Sequence, residues 1–256
     1  MTPVRAWDVM GAMTFTTTAA VQNRWPEALT AATGEFAGVL GTAGTAGLAA
    51  PVAACPGWTL RELAGHLGEV HGWAAHIVDG GDPRDNPVER PESRDAPALG
   101  TWYARQAENL LTALTEAGAD RECWTMAPPR TTQFWWRRQV HETLVHLWDA
   151  RTALDLPAPL DPQLAWDGVA EVAEVFYPRQ LRRERLRPLP QSLVLRPSDL
   201  RGDPVVLGEG DMIEVTGPAG VLLLLLWHRI SWADALRAGA QGTSRAAELL
   251  ALPLVP

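Results

Sequence analysis

Residues 137–149 read RRQVHETLVHLWD, and the way these side chains fall around a helix decides what the chain is built to hold. The stretch looks at first like H-E-x-x-H, the zinc-protease signature, but an extra residue separates His141 from His146. Each residue of an α-helix advances about 100°, so side chains five apart point roughly 140° away from each other. The two histidines therefore cannot grip one metal together. Glu142 and His146 sit one turn apart on a single face, a spacing that two ligands of one ion can use. A third ligand has to come from elsewhere in the chain.

Outward from this motif, hydrophobic periodicity gives four helices in the first part of the sequence. The motif's own helix is expected from about Thr132 to Leu154, ending before Pro157. A first helix is expected from about Trp25 to Leu40, with Pro26 suited to its first turn and the glycine-rich GTAGTAG (41–47) ending it as a connector. That run lacks G-x-G-x-x-G spacing and a preceding strand, so it is not read as a phosphate loop. Cys55-Pro56-Gly57-Trp58 forms a turn, and Thr59 with Glu62 makes a capping box that opens a second helix. The buried stripe of this helix reads Leu63, Leu67, Val70, Ala74 and Ile77. A third helix runs from about Ala98 to Ala117 and stops near Gly118.

Between the second and third helices lies GGDPRDNPVERPESRDAP (80–97). It is much longer than the roughly 2 to 8 residues usual between bundle helices, and it reads either as a lid or as a loose excursion. The expected architecture is thus α+β: an antiparallel four-helix bundle over 25–156, then a small α/β domain over 157–256. DLPAPLDP (155–162) serves as the linker. The second part carries a helix at Gln163–Phe176, an arginine-rich stretch, strands at Ser192–Arg196, Pro204–Leu207 and Met212–Thr216, and helices at Ala219–Trp227 and Ser244–Leu252. Residues 1–24 are expected to form a disordered extension; the threonine-rich start has no continuous apolar segment of the kind a secretory signal needs.

His66 lies at the border of the second helix's apolar stripe and can look into the interior, whereas His71 and His76 are expected to face solvent or a partner. His66, Glu142 and His146 would fill three positions of a tetrahedral zinc and leave one open, as catalytic sites do. The same placement suits a hydrogen-bonded core histidine, and spacing alone does not separate the two. Asp149 falls on the face of His146 and can orient a ligand imidazole through its second N–H; a helix-surface partner for Arg151 or Arg138 is the alternative. The tryptophans of the motif helix, Trp135, Trp136 and Trp148, read as packing residues, with lining of a pocket as the alternative. Arg229 closes the apolar run VLLLLLW, where a carboxylate or phosphate, or a structural salt bridge, would balance its charge. The run Arg179, Arg182, Arg183, Arg185 and Arg187 reads as a solvated face, with attraction of an anionic substrate as the alternative.

Composition excludes several function classes. A net charge of −8 is the wrong sign for binding nucleic acid or an anionic membrane. The longest apolar run, Val221 to Trp227, is far short of the roughly 20 residues that span a bilayer. Only Cys55 and Cys123 are present, too few for a disulfide framework, so a reducing, cytoplasmic setting is expected. Every basic residue is arginine and lysine is absent, which removes P-loop, Schiff-base and lysine-base chemistry.

ACPGWTLRELAGHLGEVHGWA (54–74) and RRQVHETLVHLWDA (137–150) resemble the two signatures of the mycothiol-dependent maleylpyruvate isomerase family, within the DinB-like four-helix metal proteins. VTGPAGVLLLLLWHRISWADALRAGA (215–240) resembles that family's smaller C-terminal domain. The resemblance implies that His66, Glu142 and His146 bind a divalent metal, usually zinc. It also implies that Arg229 is a functional residue toward substrate and cosubstrate, and that mycothiol is the thiol cosubstrate of a small electrophile. In such an enzyme the metal-activated thiol adds to a conjugated double bond. Rotation and elimination then give an isomer, and release of the adduct gives a transferase product. Two features depart from the family pattern: His228 stands where a small residue is common, and the N-terminal extension is long. Metal-assisted hydrolysis and a non-catalytic binding module are the alternatives, and a monomer is expected.

Overall fold

The computed structural model describes residues 19–91 and 95–256. The expected disorder of the extension lies, for residues 1–18, outside the described residues. Its last part is ordered: Ala19–Gln22 forms a short helix, α1, and Arg24 pairs with Asp161 at 2.7 Å. The bundle follows as α2 (Trp25–Gly47), α3 (Leu60–Val78), α4 (Ala96–Ala117) and α5 (Thr132–Ala153). The expectation that α2 ends near Leu40 is corrected. The helix continues through the glycine run with a kink at Gly44, where φ is 61°. Leu48, just past its end, is fully covered by the bundle core, so burial holds a segment whose glycines disfavour helix on their own.

A second correction concerns α3, which is buried on more than the one stripe the periodicity marks. Gly65, Gly68 and Gly72 form a notch along it: a methyl added at Gly68 would meet the Trp102 ring of α4 at 2.3 Å, and one at Gly72 would meet Val88 at 2.4 Å. The described part of the long connection packs over this notch rather than hanging free. Trp102 donates its indole N–H to Glu89 O at 2.9 Å, Trp73 donates to Pro83 O at 3.1 Å, and Arg90 pairs with Glu69. With α3 so enclosed, His71 is fully buried and His76 half-buried, against the expectation that both face outward.

Beyond the linker come α6 (Pro162–Glu171), a π-helical turn (Val172–Phe176) and α7 (Tyr177–Arg182). The expected single helix over 163–176 is thus longer and locally widened. Pro178 cannot donate a backbone N–H, and the wide turn directly before it accommodates the interruption. Strands β1 (Ser192–Pro197), β2 (Val205–Leu207) and β3 (Met212–Gly217) form a sheet in the order β2-β1-β3. β1 runs antiparallel to β2, with Leu193 opposite Leu207, and parallel to β3, with Leu193 opposite Ile213. Helices α8 (Ala219–Leu226), α9 (Trp232–Arg237) and α10 (Ser244–Leu250) complete the α+β arrangement. Arg182, Arg183, Arg185 and Arg187 are exposed.

Two apolar cores meet along α5. One, with Phe36, Leu63, Tyr103 and Leu147, lies within the bundle. The other joins Trp135 and Val140 of α5 to Val169, Leu195 and Leu223 of the second half. A helix packed from both sides cannot rotate, and its polar side chains are held between the two halves.

Candidate metal centre

The capping box fixes the start of α3: the Glu62 carboxylate accepts the backbone N–H of Thr59 at 2.8 Å and its hydroxyl as well. Two turns on, α3 carries His66 toward α5. There Glu142 Oε1 lies 3.3 Å from His66 Nε2 and 3.3 Å from His146 Nε2. Ligand atoms of the three residues all fall within 4.8 Å of one another, and the two imidazole rings stand nearly perpendicular at 5.2 Å.

The rest of the geometry tests whether a metal fits. Asp149 is buried, and its Oδ2 lies 2.9 Å from His146 Nδ1. An acceptor there keeps the proton on Nδ1, so the Nε2 of a neutral His146 turns a lone pair toward the Glu142 carboxylate. Two electron-rich atoms at that distance need a cation between them. A proton on His146 supplies one: burial opposes its charge, yet the bonds to Asp149 and Glu142 outweigh burial and lift its pKa to about 9. A divalent ion supplies another, because donors about 2.0–2.1 Å from one tetrahedral zinc sit roughly 3.3 Å apart. Burial works against the Glu142 anion too, but His146, His66 and Arg138 together hold its carboxyl well below the usual range. The donor set fits a divalent metal.

Both α5 donors are tied to the second half of the chain. Arg229 makes a two-point pair with Asp149, Nε to Oδ1 at 3.1 Å and Nη2 to Oδ2 at 2.8 Å, and donates from Nη1 to Trp227 O at 2.9 Å. The residue before it, His228, adopts a left-handed backbone (φ 56°) and bonds from Nε2 to Leu250 O at 3.0 Å. Glu142 Oε2 accepts from Arg138 Nη2 at 2.9 Å, and Arg138 Nη1 in turn bonds Glu171 of α6. Cys55 Sγ lies 3.9 Å from Arg229 Nη2; burial, then Asp149, pushes its thiol pKa up. Arg229 also borders a cleft of about 380 Å³ whose walls include Ala54, Leu225, His228, Trp232 and Leu250.

The structure thus brings together His66, Glu142, His146 and, through Asp149, Arg229. Asp149 pairs with Arg229, not with Arg138 or Arg151. His141 points away and meets Asp167 at 2.8 Å. His71 lies deeper in the bundle, its Nε2 3.0 Å from the Thr143 hydroxyl. Arg138 and Glu171 join the site beyond the residues the sequence points to: the i,i+4 spacing of Arg138 and Glu142 is a signal present in the sequence, while Glu171 has none.

Residues 29–151 match the domain described as the mycothiol maleylpyruvate isomerase N-terminal domain, and residues 163–249 match the corresponding C-terminal domain. The chain belongs to the mycothiol-dependent maleylpyruvate isomerase family. Among solved structures, a mycothiol-dependent maleylpyruvate isomerase superposes with a TM-score of 0.56 at 16% identity, and a histidine-to-alanine mutant of a mycothiol-dependent maleylpyruvate isomerase with 0.58 at 14%. Each match covers 80% of this chain and 88% of the other. No curated protein sequence matches the chain. Among the described residues no helix is long and apolar enough to cross a membrane.

Proposed function

We propose that this member of the maleylpyruvate isomerase family is a zinc-dependent enzyme that uses mycothiol to attack a small conjugated electrophile. The observation that carries the reading is the meeting of two imidazole nitrogens with one carboxylate oxygen, each nitrogen 3.3 Å from that oxygen and all three atoms within 4.8 Å of one another, drawn from two helices. His66, Glu142 and His146 would hold the metal. When bound there, the metal lowers the pKa of a thiol and makes it a nucleophile at neutral pH.

The chain's own residues do the rest. Asp149 keeps the proton on His146 Nδ1, so Nε2 stays available as a donor. Arg229 neutralises Asp149, and the same residue lines the cleft. It is assigned to the anionic group of the electrophile, or to the enolate that forms as sulfur adds to the double bond. Rotation about the new single bond and expulsion of the thiolate return a trans alkene; release of the adduct would make the enzyme an S-transferase. His228 stands on the cleft wall where the family resemblance implies a small residue, and it would alter the space open to the electrophile.

Metal analysis of the purified protein should give about one zinc per chain. Incubation of maleylpyruvate and related unsaturated acids with mycothiol should show a thiol-dependent change in the conjugated absorbance: an isomerase shifts the band and returns the thiol, whereas a transferase abolishes it and retains the thiol in the product. A protein with its helical content intact that takes up no metal, or turnover indifferent to thiol, would sink the reading.

A further inference from the structure

Glu142 uses its two oxygens in different ways. Oε1 faces both imidazoles, whereas Oε2 is taken by Arg138 Nη2 at 2.9 Å. Arg138 has little freedom to let go. Its guanidinium is 3% exposed and its Nη1 bonds Glu171, itself 1% exposed. Its planar head lies 4.9 Å from the Phe176 ring centroid and 5.6 Å from that of Trp227. All three of these partners belong to the second half of the chain: Glu171 ends α6, Phe176 ends the π-helical turn, and Trp227 follows α8. π-turns of this kind concentrate at functional sites, and here the widened turn delivers a ring onto the guanidinium.

We propose that Arg138, clamped by Glu171, Phe176 and Trp227, is a positioning residue that restricts Glu142 to a single-oxygen ligand and so keeps coordination room for the incoming thiol. The inference rests on the metal reading above. A carboxylate with both oxygens free can chelate an ion through both of them; two imidazoles and a chelating carboxylate would make four donor atoms and crowd the open position. A guanidinium held on the second oxygen opposes this, because moving Oε2 to the metal would take from a buried cation one of its two carboxylate partners and leave an Nη2 donor unsatisfied. The second half of the chain thereby contributes to the metal site without supplying a ligand.

The test uses cobalt(II) as a spectroscopic substitute for zinc in the full-length protein, with Arg138→Met, Arg138→Lys and Glu171→Gln. The wild type should show the intense visible bands of a four-coordinate ion and a new sulfur-to-cobalt charge-transfer band when mycothiol is added. Arg138→Met should shift to the weaker bands of a five-coordinate ion and bind mycothiol about tenfold more weakly, within the range typical of residues that orient ligands. Arg138→Lys, which can hold only one carboxylate well, and Glu171→Gln, which keeps the shape, should move in the same direction by less. Wild-type spectra and thiol affinity in a folded Arg138→Met protein would overturn the proposal. Should Arg138→Met fail to fold, Glu171→Gln decides, and an unchanged spectrum there overturns it equally. A folded wild type that takes up no cobalt would overturn the metal reading and this inference with it, and that outcome is distinct from the others.

Discussion

The two donors on α5 and the one on α3 are held in very different ways. His146 is backed by Asp149 and, behind it, Arg229; Glu142 is backed by Arg138 and, behind it, Glu171. Each chain of charge runs from α5 into the second half of the protein and is buried along most of its length. His66 has no such support. Its side chain is 30% exposed, the Trp58 ring lies 4.9 Å away, and among the described residues its one side-chain hydrogen bond is to Glu142 itself. Orientation of the α5 pair is set before any ion arrives, whereas His66 is held chiefly by the ligand it would share. The second half of the molecule acts on one side of the site only.

The largest effects should come from cutting the rigid side. His146→Ala or Glu142→Ala should lower metal affinity by more than the roughly 100-fold upper range seen when orienting residues are changed, with circular dichroism nearly unaltered. His66→Ala should weaken binding by less than His146→Ala; titration against a chromophoric chelator ranks them, and equal losses would break the contrast. Next comes Asp149→Asn, which still accepts from His146 but leaves the nearly buried Arg229 without its counter-charge. Metal affinity should fall about 10- to 100-fold, and denaturant titration should show a stability loss on the order of 3 kcal/mol.

His71 offers a smaller, pH-dependent effect and separates bundle stability from metal chemistry. Its Nε2–H donates to the Thr143 hydroxyl, which itself donates to Gln139 O at 2.7 Å, and Nδ1 is buried with no partner among the described residues. Burial drives the folded-state pKa down to about 3 from an ordinary value of 6.5; Glu142 opposes this, while His146 and His66 add to it. The unfolded chain therefore binds the proton more readily. Above the unfolded pKa the two states agree and nothing is lost; as pH falls below it, stability declines by about 1.4 kcal/mol per unit until the folded pKa is reached. Between pH 6.5 and 5 the metal-free protein should lose about 2 kcal/mol that His71→Gln does not lose. Parallel urea titrations at the two pH values check this, and identical slopes in the two proteins would remove His71 as the cause.

Much of this was legible in the sequence where the information is local. The i,i+4 placement of Glu142 and His146, the Thr59–Glu62 cap and the stripe on α3 fix helix faces, and a bundle then has few ways to bring His66 opposite α5. What could not be read depends on partners far along the chain. Arg138 meets Glu171 33 residues away and Asp149 meets Arg229 80 residues away, and neither separation leaves a periodic trace. His71 is buried where periodicity puts it outside, because α3 packs on a glycine face as well as an aliphatic one, and glycines carry no hydrophobic signal. The run through 41–47 reads as a breaker by propensity, and only the burial of Leu48 explains why the helix continues.

The smallest effect asks why His66 is where it is. Thr59→Ala removes the hydroxyl that meets Glu62, and losses at helix starts of this kind cost about 1 kcal/mol. The backbone N–H of Thr59 still bonds the Glu62 carboxylate at 2.8 Å, and Leu60, Leu63 and Leu67 remain fully buried. The helix should therefore keep its register and the melting temperature should drop by a few degrees. Since His66 lies two turns inside α3, its ring should be unaffected by fraying at the start, and metal affinity should match the wild type. Should Thr59→Ala weaken metal binding as far as Asp149→Asn does, then the start of α3, rather than the shared carboxylate, positions the third donor. The α3 side of the site would then be as deliberately braced as the α5 side, by local backbone bonding in place of long-range charge.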